Sequence, residues 1–220
     1  MIRVAPGDLS WLYSRCRRCY WDKLHKVSPV KEPFANVLRT TAGATELALT
    51  VENLLKLGVV VDHVAEIPSV KSRPVAGAQI SGRPDKVFTY SDGSLLIIDA
   101  KCATMSDTLF KYERQLSAYA YAIEHPEAAE PRRVREIALV VFEPVDRIAI
   151  TWKDTNDAAI LGKMKYLPMS YDPAKVEAQL RDIAKLFESP PPPTGLKCDI
   201  CIAVEARAQA LARNEGARAS

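Results

Sequence analysis

"GRPDKVFTYSDGSLLIIDAK" covers residues 82–101, and its reading decides the fold. Five of the seven residues from Leu95 to Lys101 are apolar, which predicts a buried strand. Asp99 and Lys101 stand at its far end, where ionised groups are costly unless paired or metal-bound. "SDGS" (91–94) is a hairpin signal, and the length of that turn decides whether the charges meet. A two-residue loop at Asp92 and Gly93 pairs Asp85 with Ala100 and sends Asp85 and Asp99 to opposite faces. A three-residue loop, with Gly93 in the left-handed conformation, pairs Asp85 with Asp99. Lys101 then lies two residues along on the same face. Turn chemistry and function agree on this second register.

Two carboxylates about 5 Å apart repel by roughly 3 kcal/mol at an effective dielectric near 20. A divalent cation removes that penalty, and carboxylate oxygens are ligands that Mg²⁺ prefers. Such a metal acidifies a water and offsets charge building on a phosphate. Lys101 is placed to orient that water or to stabilise the same charge. An ion pair between Lys101 and Asp99 or Asp85, closing a strand end, explains the spacing equally well. Spacing alone leaves both readings open.

Around the hairpin, Asp8 is the expected N-cap of a helix over 9–16 carrying Leu9, Leu12 and Tyr13. A second helix is expected over 35–57, ended by Gly58, and strands broken by "KSRP" and Gly77 over 59–90. The clearest amphipathic helix covers 107–124, with Leu109, Tyr112, Leu116, Tyr119, Ala120 and Ile123 on one face. "REIALVVFEP" and "DRIAITW" read as two further strands. Asp172 caps a last helix, with Pro173 in its first turn and Val176, Leu180, Ile183 and Phe187 facing inward. "SPPPPTG" is a stiff connector. The pattern describes an α/β fold, a mixed sheet with helices on both faces.

The 220 residues carry a formal charge of +3. Residues 1–40 hold +5 and the remaining 180 sum to −2. Trp11, Tyr13, Tyr20 and Trp21 are interleaved with the basic residues, a pattern suited to phosphate contact by Arg15, Arg17 and Arg18 and to base stacking by the aromatics. A solvated face whose aromatics point into the core is the plainer alternative. No apolar run approaches a membrane span, and the start lacks the apolar core of a secretory signal. A cytoplasmic protein, bacterial or phage-encoded, is the expectation.

Cys16-x₂-Cys19 and Cys198-x₂-Cys201 form two pairs at opposite ends of the chain. Disulfides are not expected inside a cell, and four thiolates suit either Zn²⁺ or an iron–sulfur cluster. Cys102 reads as a small core residue. His25, His63 and His125 form no metal-binding pattern.

"PD" at 84–85, thirteen residues, then "DAK" at 99–101 resembles the PD-(D/E)XK nuclease motif on its usual hairpin. "YERQLSAYAYAIE" (112–124) resembles the Gln-and-Tyr helix that follows that motif in RecB-like nucleases. "CRRC" and "CDIC" resemble the cysteine brackets of iron–sulfur members, CRISPR-associated adaptation nucleases among them. The resemblance implies a restriction-endonuclease-like fold over residues 1–206. The nuclease core is expected over 30–188, cysteine-bearing segments over 8–29 and 189–206, and a flexible tail over 207–220.

It also implies metal ligation by Asp85, Asp99 and the carbonyl of Ala100, with Lys101 the catalytic lysine. Gln115 is implied beside the reacting centre, and Tyr112 and Tyr119 at the substrate. The cofactors implied are Mg²⁺ or Mn²⁺ and a [4Fe–4S] cluster, with Zn²⁺ the alternative. One departure stands out. Relatives offer a His or acidic ligand on the early helix; this sequence has no clear counterpart, with Glu46 the candidate, Glu52 the alternate, and a solvated role open to either.

The expected function is metal-dependent, exonuclease-like hydrolysis of DNA, single-stranded or at duplex ends, in recombination, repair, or CRISPR or phage DNA processing. Protein partners in a recombination or CRISPR complex are consistent with it. The alternative is a catalytically weak or inactive nucleic-acid-binding or assembly module that keeps the fold and the cysteines. A zinc-clamped enzyme of another class lacks any nucleophile–base constellation.

Overall fold

The hairpin adopts the three-residue-loop register. Strands β5 (Lys86–Thr89) and β6 (Leu95–Cys102) pair antiparallel, with Thr89 opposite Leu95 and Lys86 opposite Ile98. The Gly93 amide bonds the Tyr90 carbonyl, and Gly93 has φ +79°. That is the left-handed residue a three-residue loop requires. The Asp92 carboxylate accepts from the Ser94 amide and hydroxyl and so fixes the turn. The structure, a computed structural model, describes residues 1–9, 16–25, 49–102, 109–151, 158–193, 198 and 201, with backbone alone at 102, 109–111, 144–151 and 158–161.

β6 is central in a five-stranded mixed sheet. β2 (His63–Val64) and β5 lie on one side, with β7 (Val134–Thr151) and β8 (Ala158–Met169) on the other. β6 and β7 run parallel, and every other pair in this sheet is antiparallel. A second, three-stranded sheet sets β4 (Ala78–Gly82) between β1 (Ile2–Val4), parallel to it, and β3 (Val70–Lys71). The fold is therefore α/β with two mixed sheets flanked by helices, where the sequence suggests one.

Among the described residues, four helices cover the sheets: α1 (Arg17–Leu24), α2 (Val51–Lys56), α3 (Leu109–Glu124) and α4 (Pro173–Glu188). Asp172 caps α4 through the Ala174 amide, as expected. α3 serves both sheets. Leu116, Ala120 and Ile123 pack with Val87, Leu95 and Ile97 of the hairpin. Its other side, Ala118, Tyr121 and Ala122, packs with Ile80, Val176, Leu180 and Ile183. The opposite face of the five-stranded sheet buries Phe88, Leu96, Ile98 and Ala100 under Leu54 of α2.

Several expectations are corrected. Asp8 is not the N-cap of the helix expected over 9–16. It lies within a helical turn over 6–9 and accepts from the Ala5 amide behind it, the reciprocal half of a capping box. Residues 10–15 lie outside the described ones, as do 26–48, so most of the expected 35–57 helix is not described. The two strands expected over 135–152 are one strand, β7, with a register irregularity between Pro144 and Ala149. β8 is not among the expected strands, because Gly162 and Pro168 break its pattern. As an edge strand it tolerates a proline that cannot donate to a ladder. Phe187 does not face the core. It is 36% exposed and stacks on His25 at 4.6 Å.

Candidate nuclease site and cysteine centre

β5 stops pairing at Lys86, whereas β6 continues to Cys102 against β7. Asp99, Ala100 and Lys101 thus extend past the end of β5, on the strand edge that Asp85 approaches from the β4–β5 link. Alternation along β6 sends Leu95, Ile97, Asp99 and Lys101 to the α3 face, and Leu96, Ile98 and Ala100 to the other. The same alternation that buries the apolar half of the strand therefore presents its charges to α3. Lys101 Nζ lies 2.6 Å from Asp99 Oδ2 and 3.9 Å from Asp85 Oδ2. Gln115 of α3 donates from Nε2 to Asp99 Oδ1 at 3.2 Å. The Lys101 ammonium also faces the Tyr112 ring, 5.3 Å from its centroid. Asp85, Asp99, Lys101, Gln115 and Tyr112 are brought together.

The site grades from closed to open. The side chain of Asp99 is 2% exposed, that of Lys101 23% and that of Asp85 31%. Burial pushes the Asp99 carboxyl up to about 8, and the Asp85 carboxylate adds to the effect against the opposing pull of Lys101. Burial works against the Lys101 ammonium, but the two aspartates hold its proton more firmly than usual. Asp99 Oδ2 is fully enclosed, with the Lys101 ammonium 2.6 Å away as an ion-pair partner and no further hydrogen-bond donor among the described residues. An enclosed carboxyl that a cation would ionise, beside a second carboxylate, is a donor set that fits Mg²⁺ or Mn²⁺.

Tyr119 is 7% exposed and packs with Val87 and Ile97, so its ring belongs to the core. Burial, then the Asp85 and Asp99 carboxylates, push its hydroxyl up to about 12. A Cβ on Gly82 would meet Pro6 Cδ at 2.7 Å and Tyr119 Cε1 at 3.2 Å. Gly82→Ala is therefore expected to destabilise the protein by about 1–3 kcal/mol, read by denaturant unfolding. Unchanged stability would show that Pro6 does not hold its place against β4.

Glu52 does not reach the site. Its helix packs on the opposite face of the sheet, and its carboxylate is 77% exposed and paired with Lys56 at 2.9 Å. Glu46 lies outside the described residues. Arg15, Trp11 and Tyr13 also lie outside them, while Arg17 is exposed. Arg18 is engaged within the fold, by Asp22 at 2.9 Å and the Pro192 carbonyl at 3.4 Å. Tyr20 is fully buried, and Trp21 donates to the Ser189 carbonyl. These two aromatics pack rather than wait for bases.

The sequence reading missed the part played by Pro6 and Tyr119 around Gly82. A "GRPD" run signals only that some backbone approaches closely. It does not say which segment does so.

The four paired cysteines converge. Cys16 ends the approach to α1, accepting from the Cys19 amide as N-cap. The Sγ atoms of Cys16, Cys19, Cys198 and Cys201 all lie within 4.8 Å of one another. Cys16 to Cys201 and Cys19 to Cys201 are each 3.3 Å, and Cys19 to Cys198 is 3.5 Å. The late pair is carried there by the proline connector, whose Ser189 and Pro192 carbonyls are gripped from α1 by Trp21 and Arg18. Burial and the neighbouring thiols push the Cys19 thiol up. At Cys198 burial opposes ionisation, but the Cys201 amide and the adjacent thiols outweigh it and hold the thiol down to about 6. Four sulfurs gathered this closely are the donor set of a single thiolate-bound metal centre.

No helix among the described residues is long and apolar enough to cross a membrane. No curated protein matches the chain. Among solved structures it is similar to the crystal structure of SSO0001, with 18% identity and a TM-score of 0.50, over 86% of this chain and 78% of that one. At that identity the likeness speaks for the fold alone. The model of the PD-(D/E)XK nuclease superfamily matches residues 12–205, a range that holds the hairpin, the Gln115 helix and all four paired cysteines. The chain belongs to the PD-(D/E)XK nuclease superfamily.

Proposed function

We propose that the protein is a Mg²⁺- or Mn²⁺-dependent deoxyribonuclease that hydrolyses phosphodiester bonds at Asp85, Asp99 and Lys101, working inward from DNA ends. The observation that carries this reading is the convergence of an enclosed Asp99, an open Asp85 and Lys101 on one strand end. Asp85, Asp99 and the Ala100 carbonyl would hold the cation. When bound, it would supply a more acidic water and charge to offset the negative phosphate. Gln115 keeps the Asp99 carboxylate in one orientation through its 3.2 Å hydrogen bond. Lys101 keeps a proton-rich ammonium between the two carboxylates, so positive charge faces the place where a phosphate oxygen would gain negative charge. The exposure of Asp85 gives the substrate its side of approach.

The cysteine centre is proposed to bind metal through four thiolates. The two brackets resemble those of iron–sulfur members and speak for a [4Fe–4S] cluster, while sulfurs all within 4.8 Å of one another suit the smaller tetrahedron of one Zn²⁺. With the cluster, anaerobically purified protein is expected to be brown and to contain iron. A colourless protein with one zinc would replace the cluster by a zinc clamp.

The position of Glu52 favours a second reading, a binding module without catalysis, because among the described residues no early-helix acid joins the site. Labelled single-stranded and duplex DNA, incubated with the protein in Mg²⁺, Mn²⁺ or EDTA, separates the two. Shortening of the strands in either metal and none in EDTA is the expected result. Binding without cleavage in both metals would leave the module reading.

A further inference from the structure

The chain segments 63–71 and 81–89 lie side by side as an antiparallel ribbon that opens in its middle. On one side of the opening Val64 is opposite Phe88, and on the other Val70 is opposite Gly82. Five residues intervene in each segment, so the register is unchanged and the opening is neither a bulge nor a slip. Counting inward from either ladder sets Pro68 opposite Pro84. Neither proline has an N–H to donate, so the ladder cannot close between them. The result is a cavity of about 690 Å³, into which Asp85 opens.

Arg83 and Lys86 line this cavity on either side of Asp85. Arg83 is exposed and Lys86 half-buried, and among the described residues no carboxylate pairs with either. Glu66 faces Lys86 across the opening without an ion pair. Lys56, Lys165 and Arg181, by contrast, are paired with Glu52, Glu143 and Glu177. Two cations with no carboxylate partner among the described residues, flanking the open carboxylate in a cavity that proline has cut through a ladder, call for an anion. Arg83 stands about 6–7 Å from Asp85 along an extended chain.

We propose that this opening is the groove that seats the DNA backbone, with Arg83 and Lys86 holding phosphates next to the one at Asp85. This rests on the nuclease reading for its substrate. With Asp85 engaged by a cation, the lining presents two positive charges against Glu66.

The test measures binding of a labelled single-stranded oligonucleotide to the full chain in EDTA, so that no cleavage intervenes, over a range of salt. Two lost phosphate contacts lower the salt slope by about 1.4 for single strands. The double variant Arg83→Ala/Lys86→Ala is therefore expected to show that flattening, and to bind on the order of tenfold more weakly near 0.15 M salt. Lys175→Ala/Lys185→Ala, two exposed charges of α4, is expected to keep the slope. Arg83→Lys/Lys86→Arg keeps both charges and should restore it.

An unchanged slope in the Arg83→Ala/Lys86→Ala variant, or equal flattening by the α4 pair, would overturn the groove. So would a charge-conserving variant that fails to recover the slope. If the wild type cleaves and only the slope test fails, the groove alone is lost. If the slope test succeeds while the wild type cleaves nothing in either metal, the groove stands and the nuclease reading falls.

Discussion

Asp99→Asn is expected to abolish cleavage in Mg²⁺ and Mn²⁺ and at the same time to raise the melting temperature of the metal-free protein. The two effects have one cause. Asp99 is 2% exposed, lies beside a second carboxylate and has an oxygen that, among the described residues, only the Lys101 ammonium meets. Such a group, when ionised, destabilises the fold even beside Lys101 unless a metal cation is bound as well. The asparagine is nearly isosteric and can present its oxygen to Lys101. Gln115 can turn its amide to accept from the new NH₂ group. The loss of activity is expected on the order of 10³-fold or more, because metal-held charge stabilises the transition state by several kcal/mol.

The sign of the stability effect follows from linkage. The Asp99 carboxyl is raised from 3.8 to about 8 in the folded chain. Between those values the native state holds a proton that the unfolded state has lost, so wild-type stability falls as pH rises through that window. Above it no further loss occurs. The asparagine variant has no such dependence. In EDTA its melting temperature should match the wild type most nearly at the acidic end and exceed it increasingly up to about pH 8. A variant that melts below the wild type at pH 8, or that still cleaves, would mean that Asp99 is a structural ion-pair partner.

The register of this site was legible in the sequence because it follows from local chemistry. Asp92 and Gly93 fix a three-residue turn, and the alternation from Leu95 to Lys101 assigns each side chain to a face. The α3 face and the Asp172 cap were legible for the same reason, being set within one helix. What was not legible depends on neighbours remote in sequence. Pro68 and Pro84 each show only that one ladder bond is missing, and only the pairing of the two ladders sets them opposite each other. Glu52 follows the expected helix pattern, but which face of the sheet receives that helix is a tertiary outcome. Phe187 fits the inward stripe of α4 by spacing, yet it sits at the helix end, where His25 of the N-terminal segment offers a stacking partner. The aromatics of the basic segment were ambiguous because Trp21 needs the Ser189 carbonyl, 168 residues away, to be satisfied.

Cys198→Ala should produce the largest loss of stability of any single substitution outside the sheet core. The four thiols join positions 185 residues apart, Cys16 to Cys201. Closing a loop of that length restricts the unfolded chain by about 5 kcal/mol in the chain-entropy model. Removing one ligand leaves three thiols, too few for a closed four-sulfur centre. The midpoint should fall on the order of 10 °C or more for a chain of this size, together with loss of bound iron or zinc. The damage should also reach the nuclease site. α1 is tied through Lys23 to Asp8, and Pro6, two residues before Asp8, packs against Gly82, three residues before Asp85. Releasing α1 from the connector loosens that chain of contacts, so residual cleavage should drop even at temperatures where the variant stays folded. Double-mutant analysis separates the two routes. If the cysteine centre acts on Asp85 through Pro6, the stability costs of Cys198→Ala and Gly82→Ala should be less than additive. Full additivity, with normal cleavage by folded Cys198→Ala, would leave the centre as a clamp on the chain ends that has no hold on the hairpin.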